Sequence, residues 1–180
     1  MRYGSIEYAY AAPIAEALAQ SDGFKKWIVS QTRFSADSDA RLLHEEMRET
    51  RSQVAENWWR SHFTETCRCR GCSGQETDLL AIFERPTGGR FALHCEIKQP
   101  LDKFPSGKNQ GINYNLRARC WSRSSPRNVL SHDDADTVLF CSKFRVEDYG
   151  DNAKAFGAII TFQQIAREFP EIGKTLGAAN

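Results

Sequence analysis

Three charged side chains in the middle of the chain are spaced so that they could do chemistry together: Asp78, Glu96 and Lys98. Asp78 begins an apolar run of strand length, while Glu96 and Lys98 lie at the end of a second such run. Pro, Thr and two Gly residues lie between the runs, which predicts a β-hairpin. Antiparallel pairing would bring Asp78 to the end of the hairpin where Glu96 and Lys98 lie.

The spacing of these residues predicts a metal site. Side chains alternate between the faces of a strand, so Glu96 and Lys98 share a face and Ile97 turns to the core. Two adjacent carboxylates repel each other unless a cation lies between them, and hard oxygen ligands suit Mg²⁺ or Mn²⁺. The Ile97 carbonyl could complete the coordination, and Lys98 could orient a water or stabilise developing charge. The alternative is a solvated strand end, where Glu-x-Lys is common.

The motifs resemble those of a known family. The segments Glu76-Thr77-Asp78-Leu79-Leu80 and Cys95-Glu96-Ile97-Lys98 resemble the PD-(D/E)xK phosphodiesterase superfamily with its restriction-endonuclease-like fold, although Thr77 replaces the motif's Pro. The resemblance implies that Asp78 and Glu96 bind a divalent metal and that Lys98 acts at the attacking water.

A second motif follows the hairpin. Gln110-Gly111-Ile112-Asn113-Tyr114 is similar to the Q-x-x-x-Y helix motif of the RecB-type exonuclease branch. Gln110 and Tyr114 would share one helix face and could both reach the site, and ordinary helix packing is the alternative.

Some members of this superfamily also direct a Glu from an N-terminal helix toward the metal. Glu45 and Glu46 are the candidates, and the helical wheel favours Glu46 because it falls on the side of the apolar stripe. A solvated helix charge is the alternative.

Three cysteines form a candidate zinc site. Cys67, Cys69 and Cys72 place three soft ligands within six residues. Zinc needs a fourth ligand, for which His62, Cys95 and Cys120 are candidates. The alternative is a tight turn of reduced cysteines entering the Asp78 strand.

A basic stretch after the Gln110 motif is a candidate nucleic-acid surface. Arg117, Arg119 and Arg123 could bind phosphates, and Trp121 could stack on a base. The alternative is a solvated surface.

The elements that must position these residues are predicted from apolar periodicity and turn signals. The predicted helices are 13–19, 22–31, 38–57, 109–121 and 163–169, and the strands beside the hairpin are 58–63, 137–141 and 156–162. This order predicts an α/β fold with a three-layer core, in which a mixed central sheet is flanked by helices. We expect one domain over 1–180, with a helical N-terminal part (1–57) and a Cys-rich loop (62–74).

Composition limits the classes of function. A chain of 180 residues that is 41% hydrophobic can bury a core. It contains neither a long apolar run nor an apolar signal block, so we expect no membrane association and a cytoplasmic location. The net charge of +1 does not itself indicate nucleic acid, so any such partner must bind to local patches.

Taken together, the patterns predict a Mg²⁺- or Mn²⁺-dependent nuclease that acts on DNA rather than RNA, in restriction, repair or defence. The alternative is a catalytically inactive nucleic-acid-binding or interaction module on the same fold, stabilised by Zn²⁺ at the cysteines. The sequence leaves the oligomeric state open, and a homodimer is among the alternatives.

Overall fold

The computed structural model describes residues 5–51, 57–60, 77–107 and 109–177. Its helices are α1 (Ser5–Gln20), α2 (Asp22–Ser30), α3 (His44–Thr50), α4 (Gln110–Arg123), α5 (Val146–Lys154), α6 (Phe162–Glu168) and α7 (Pro170–Thr175). Its strands are β1 (Arg41–Leu42), β2 (Leu79–Glu84), β3 (Arg90–Ile97), β4 (Asp134–Cys141) and β5 (Ala158–Thr161).

The strands form one mixed sheet in the order β1-β2-β3-β4-β5. The first two pairings are antiparallel, and the pairings of β3 with β4 and of β4 with β5 are parallel. A parallel pairing needs a crossover, and α4 and α5 supply the two crossovers. The predicted α/β class, with a mixed sheet flanked by helices, is confirmed.

Both faces of β4 are covered. Leu139 packs in a small cluster with Tyr114 of α4, whereas Val138 and Phe140 belong to the main core, which includes Ile14 of α1. Because neighbouring strand residues point to opposite faces, Leu139 lies on one side of the sheet and Val138 and Phe140 lie on the other. The helix α4 therefore faces the side of the sheet that carries Leu139.

The predicted hairpin is confirmed as β2 and β3. Leu79 pairs with Cys95 and Glu84 pairs with Arg90. Gly88 and Gly89 in the turn have φ values of 86° and 80°, a backbone conformation that residues with a Cβ rarely adopt. The glycine pair therefore allows the tight return that sets the register at the other end of the hairpin.

The predicted helix over 38–57 is wrong in its first part. Residues 41 and 42 form β1 on the edge of β2, and the backbone N–H of Leu43 donates to the Ile82 carbonyl at 2.8 Å. An exposed strand edge offers unpaired backbone groups, and pairing with them outweighs a local helix preference. The helix α3 begins only at His44.

The structure also differs from the predicted elements in segments before and after the hairpin. Residues 57–60 form turns rather than the start of a strand, and residues 61–63 lie outside the described residues, as does the predicted Cys-rich loop over 62–74. The helices α5 and α7 were not predicted. Pro170 does stop α6, but it also begins α7, because its missing N–H is no loss in the first turn of a helix.

None of the helices in the described part of the chain is long and apolar enough to cross a membrane.

Candidate active site

The hairpin register brings the three predicted residues to one end of the sheet. Leu79 pairs with Cys95, so Asp78 lies one step beyond this pair, beside Glu96 and Ile97. Glu96 pairs with Leu139 in β4, which faces α4. Asp78, Glu96 and Lys98 thus meet under the start of α4, as the alternation along the strand predicted.

Glu96 is the centre of the polar contacts. Its side chain is 3% exposed, and its Oε1 atom lies 2.6 Å from the Lys98 Nζ atom. The same oxygen accepts a hydrogen bond of 2.9 Å from the Gln110 Nε2 atom. Lys98 and Gln110 therefore fix the carboxylate from two sides, one from its own strand and one from α4.

The start of α4 is held in place so that Gln110 can reach Glu96. The Asn109 side chain caps the helix by accepting from the Ile112 N–H, and Asn152 of α5 accepts from the Gln110 N–H at 2.7 Å. Gly111 permits this contact, because a Cβ there would lie 2.4 Å from the Asn152 carbonyl oxygen. The position of Gln110 thus depends on close packing between α4 and α5.

Asp78 is partly buried, and its Oδ2 atom accepts a hydrogen bond of 2.7 Å from the Ile97 N–H. Burial raises the pKa of this carboxyl well above its usual range, the Glu96 charge raises it further, and the Ile97 hydrogen bond only partly opposes them. Burial is the larger cause, and the contribution of Glu96 follows from its position beside Asp78. A cation between the two carboxylates would offset their charges.

Lys98 is also buried, at 7% exposure. Burial by itself lowers the pKa of the ammonium group, but the charge and hydrogen bond of Glu96, with the charges of Asp78 and Asp102, outweigh burial and raise it above its ordinary value. Lys98 is therefore protonated at neutral pH and carries a fixed positive charge beside the carboxylates. Its Nζ atom also lies 5.0 Å from the centre of the Phe104 ring.

Two buried polar atoms of α4 face this cluster. Tyr114 is fully buried, and burial together with the nearby charges of Asp78 and Glu96 raises the pKa of its hydroxyl well above the usual range. The Tyr114 hydroxyl lies close to Glu96 and to the Asp78 backbone, whereas the Gln110 Oε1 atom forms no hydrogen bond with the described residues. An unpaired buried oxygen is costly, and a ligand or water bound at the site would satisfy it.

Glu46, the acidic residue predicted from the N-terminal helices, does not lie at the site. The charge of Glu7 in α1 contributes to the raised pKa of Asp78. Glu46 instead pairs with Arg41 at 2.6 Å, and Arg41 also binds Glu84 at the opposite end of β2. Glu46 therefore lies away from the site and cannot share a metal with Asp78.

A sequence signal could have located Glu7. Tyr10, Ile14 and Leu18 recur every four residues, so the apolar helix periodicity continues upstream of Pro13, where the predicted helix began. Glu7 lies three residues before Tyr10 and therefore on the same side of α1.

The residues present fit a divalent cation. Within the described parts of the chain, no three His, Cys, Asp or Glu side chains are grouped to hold a metal ion. Mg²⁺, however, is commonly held by one or two carboxylates with waters and substrate phosphates as the other ligands. Asp78 and Glu96 can be those carboxylates, and the Gln110 Oε1 atom is a further oxygen without a partner among the described residues.

The predicted nucleic-acid stretch is divided between two sides of α4. Trp121 is fully buried and Arg117 is 1% exposed, with its Nη1 atom donating to the Thr77 hydroxyl at 3.0 Å. These two residues share the inward face with Tyr114, so their assignment to a nucleic-acid surface is wrong. Arg119 and Arg123 are exposed and remain available to bind phosphates.

The predicted zinc ligands Cys67, Cys69 and Cys72 lie outside the described residues. Cys95, one candidate for the fourth ligand, is 1% exposed, and burial with the charges of Asp78 and Asp136 raises the pKa of its thiol well above the usual value. The zinc site therefore stays a prediction.

Comparisons with known proteins add no relative: no family model, no curated protein and no solved structure matches this chain. The function must therefore be inferred from the site.

Proposed function

We propose that this chain is a nuclease that uses Mg²⁺ or Mn²⁺ to hydrolyse phosphodiester bonds, and that its substrate is DNA rather than RNA. One observation carries the proposal. Asp78 lies beside Glu96 at the end of the hairpin, where the Ile97 N–H donates to Asp78 at 2.7 Å and the Lys98 Nζ atom lies 2.6 Å from Glu96. Two carboxylates and a lysine at one point are the groups needed to bind a cation and a phosphate together.

Asp78 and Glu96 would hold the cation. A divalent cation bound there would polarise the phosphate and lower the pKa of a bound water. The Ile97 N–H orients Asp78, and Gln110 orients Glu96, so that both carboxylates are held in place before substrate binds. The Ile97 carbonyl remains our prediction for a further ligand.

Lys98 acts as a charge rather than as a base. Because its pKa is raised, its ammonium group keeps its proton at neutral pH. It can therefore donate a hydrogen bond to the attacking water or to a phosphate oxygen on which negative charge develops. Tyr114 has a similarly raised pKa, so its hydroxyl remains a hydrogen-bond donor at the edge of the site.

A second candidate function follows from the same ion pair. Lys98 already neutralises Glu96 internally, so the cluster could be a structural charge pair in an inactive nucleic-acid-binding or interaction module. Zinc at Cys67, Cys69 and Cys72 would belong to this alternative. Metal analysis of the purified protein tests the zinc site. Less than about one equivalent of bound zinc or iron would contradict it.

The deciding experiment is a cleavage assay on linear DNA, circular DNA and RNA with Mg²⁺, Mn²⁺ or EDTA. We expect the wild type to cut DNA with Mg²⁺ or Mn²⁺ and to be inactive with EDTA. Asp78→Asn and Lys98→Met should each lower the rate by about 100-fold or more, since each removes a group that touches the reacting phosphate or its cation.

Matched control variants are Asp151→Asn and Lys154→Ala, which change an exposed ion pair on α5. Both should cut like the wild type. If the wild type cuts no substrate under any of these conditions, or if the Asp78 and Lys98 variants cut as fast as the controls, the nuclease proposal is wrong.

A further inference from the structure

A cavity lies beside Phe104 and Asn152, two residues that contact the proposed site. It has a volume of about 460 Å³ and lies between the loop that follows β3 and the helix α5. Phe104 lines the cavity, and the Lys98 Nζ atom lies 5.0 Å from the centre of the Phe104 ring. Asn152, on the opposite side, accepts from the N–H of Gln110, whose side chain binds Glu96. The cavity is thus joined to the site through two separate contacts.

The walls of the cavity are preformed. The Asp102 carbonyl accepts hydrogen bonds from the Tyr149 hydroxyl at 3.1 Å and from the Arg145 Nη2 atom at 3.3 Å. These bonds tie the loop to α5, and the rings of Phe104 and Tyr149 meet edge to face at 5.0 Å. The loop is therefore fixed against α5 and cannot collapse into the cavity without losing these contacts.

The lining combines the groups that bind a nucleotide. Phe104, which is partly exposed, supplies aromatic surface, and Lys103 and Arg145 supply positive charge. Arg145 is held by Asp148 at 2.5 Å, so a carboxylate also faces the cavity. Asp148 disfavours a phosphate deep in the cavity but can accept hydrogen bonds from the amino groups of a base. The lining therefore favours a base inside and a phosphate at the rim, near Lys103.

We propose that this cavity binds one unpaired base of the strand that is cut, so that its neighbouring phosphate is placed at Asp78 and Glu96. This inference rests on the proposed nuclease function. The volume falls within the range of about 300–1,000 Å³ that is usual for small-molecule sites. A base that stays stacked and paired in a duplex cannot enter such a cavity. The substrate is therefore single-stranded or locally unpaired at the cut.

The test is binding of three fluorescent probes of about 12 nucleotides, measured with Ca²⁺ in place of Mg²⁺. The probes are a mixed-sequence single strand, its fully paired duplex, and an abasic strand that keeps the phosphates but lacks the bases. We expect the single strand to bind about tenfold more tightly than either of the others. Equal binding of the abasic strand would mean that phosphate alone is recognised and would overturn the proposal.

Two variants test whether the cavity is the binding site. Ser106→Phe fills the cavity from its exposed loop, and Arg145→Ala removes its cation. Each should weaken single-strand binding by about tenfold. The controls are Ser131→Phe and Arg167→Ala, which make the same changes at exposed positions outside the cavity. Unchanged binding by both cavity variants would overturn the proposal.

The cleavage assay separates this inference from the proposed function. A wild type that cuts nothing but binds the single strand with these preferences would contradict the nuclease and support the base site. A wild type that cuts DNA but binds all three probes equally would support the nuclease and overturn the base site.

Discussion

Replacing Asp78 with Asn should make the protein more stable at neutral and alkaline pH, although it should abolish cleavage. The pKa of Asp78 is raised, so the folded state holds its proton more tightly than the unfolded state does. The contribution of Asp78 to stability is therefore full below its unfolded pKa and is lost as pH rises through the raised folded pKa. Above that pH, the wild type keeps a repulsive carboxylate that the variant lacks.

Two effects set the magnitude of this change. Each pKa unit of upward shift corresponds to about 1.4 kcal/mol of lost stability once the group is ionised. In the wild type the Ile97 N–H donates to a carboxylate oxygen at 2.7 Å. The Asn side chain can accept the same hydrogen bond, but a neutral acceptor weakens it by about 1 kcal/mol. In the wild type, burial and the Glu96 charge raise the pKa of Asp78 by more than the Ile97 hydrogen bond lowers it. Removing the charge should therefore gain more stability than the weaker hydrogen bond loses. We expect a net gain of about 1–2 kcal/mol, or a rise in Tm of about 2–8 °C.

Thermal unfolding of Asp78→Asn and wild type at acidic and alkaline pH, in EDTA, measures this gain. The difference in Tm should be largest at alkaline pH and should shrink at acidic pH, where the wild-type carboxyl is neutral. Mg²⁺ should raise the Tm of the wild type more than that of the variant. Asp39→Asn is the matched control, because a hydrogen bond from Lys26 lowers the pKa of Asp39, and its removal should give no gain. A variant less stable than wild type at alkaline pH would refute the charge repulsion described at the site.

Three further predictions test the contacts around the site. Gln110→Ala removes the hydrogen bond to Glu96 and should reduce the affinity for Mg²⁺ by about 10- to 100-fold, as measured by titrating cleavage with Mg²⁺. An unchanged affinity would mean that Gln110 does not orient Glu96. Gly111→Ala places a Cβ 2.4 Å from the Asn152 carbonyl oxygen and should lower the free energy of unfolding by about 1–3 kcal/mol in urea; an unchanged midpoint would mean that α4 and α5 can separate freely. Trp121→Ala should cost about 3–5 kcal/mol because the side chain is fully buried, and a fully stable variant that binds DNA weakly would restore Trp121 to the surface.

The site illustrates what local periodicity can predict. Glu96 and Lys98 share a face because a strand has a period of two residues, and the glycine turn requires the two apolar runs to pair. The meeting of Asp78 with Glu96 follows from these two facts. These placements required no knowledge of distant parts of the chain. Gln110 was predicted from its likeness to the Q-x-x-x-Y motif, and its contact with Glu96 depends on the packing of α4 against α5.

The misplaced residues depended on contacts between distant segments. Glu46 falls on the apolar side of the predicted helix. Residues 41–43, however, form hydrogen bonds with the edge of β2, and this pairing places Glu46 at the other end of the hairpin. Arg117 and Trp121 resemble a basic surface in sequence, yet they share the face of α4 that carries Tyr114, and this face packs on the sheet.

The sequence by itself therefore determined the hairpin, the alternation along β3 and the three charges that meet at its end, because strand period and turn geometry act over a few residues. Only the tertiary structure decided that Glu46 lies at the other end of the hairpin, which face of α4 is buried, and that a cavity opens beside Phe104. Each of these depends on which distant segments pack together. The local sequence does not show which face of a helix will be buried, and tertiary packing decides it.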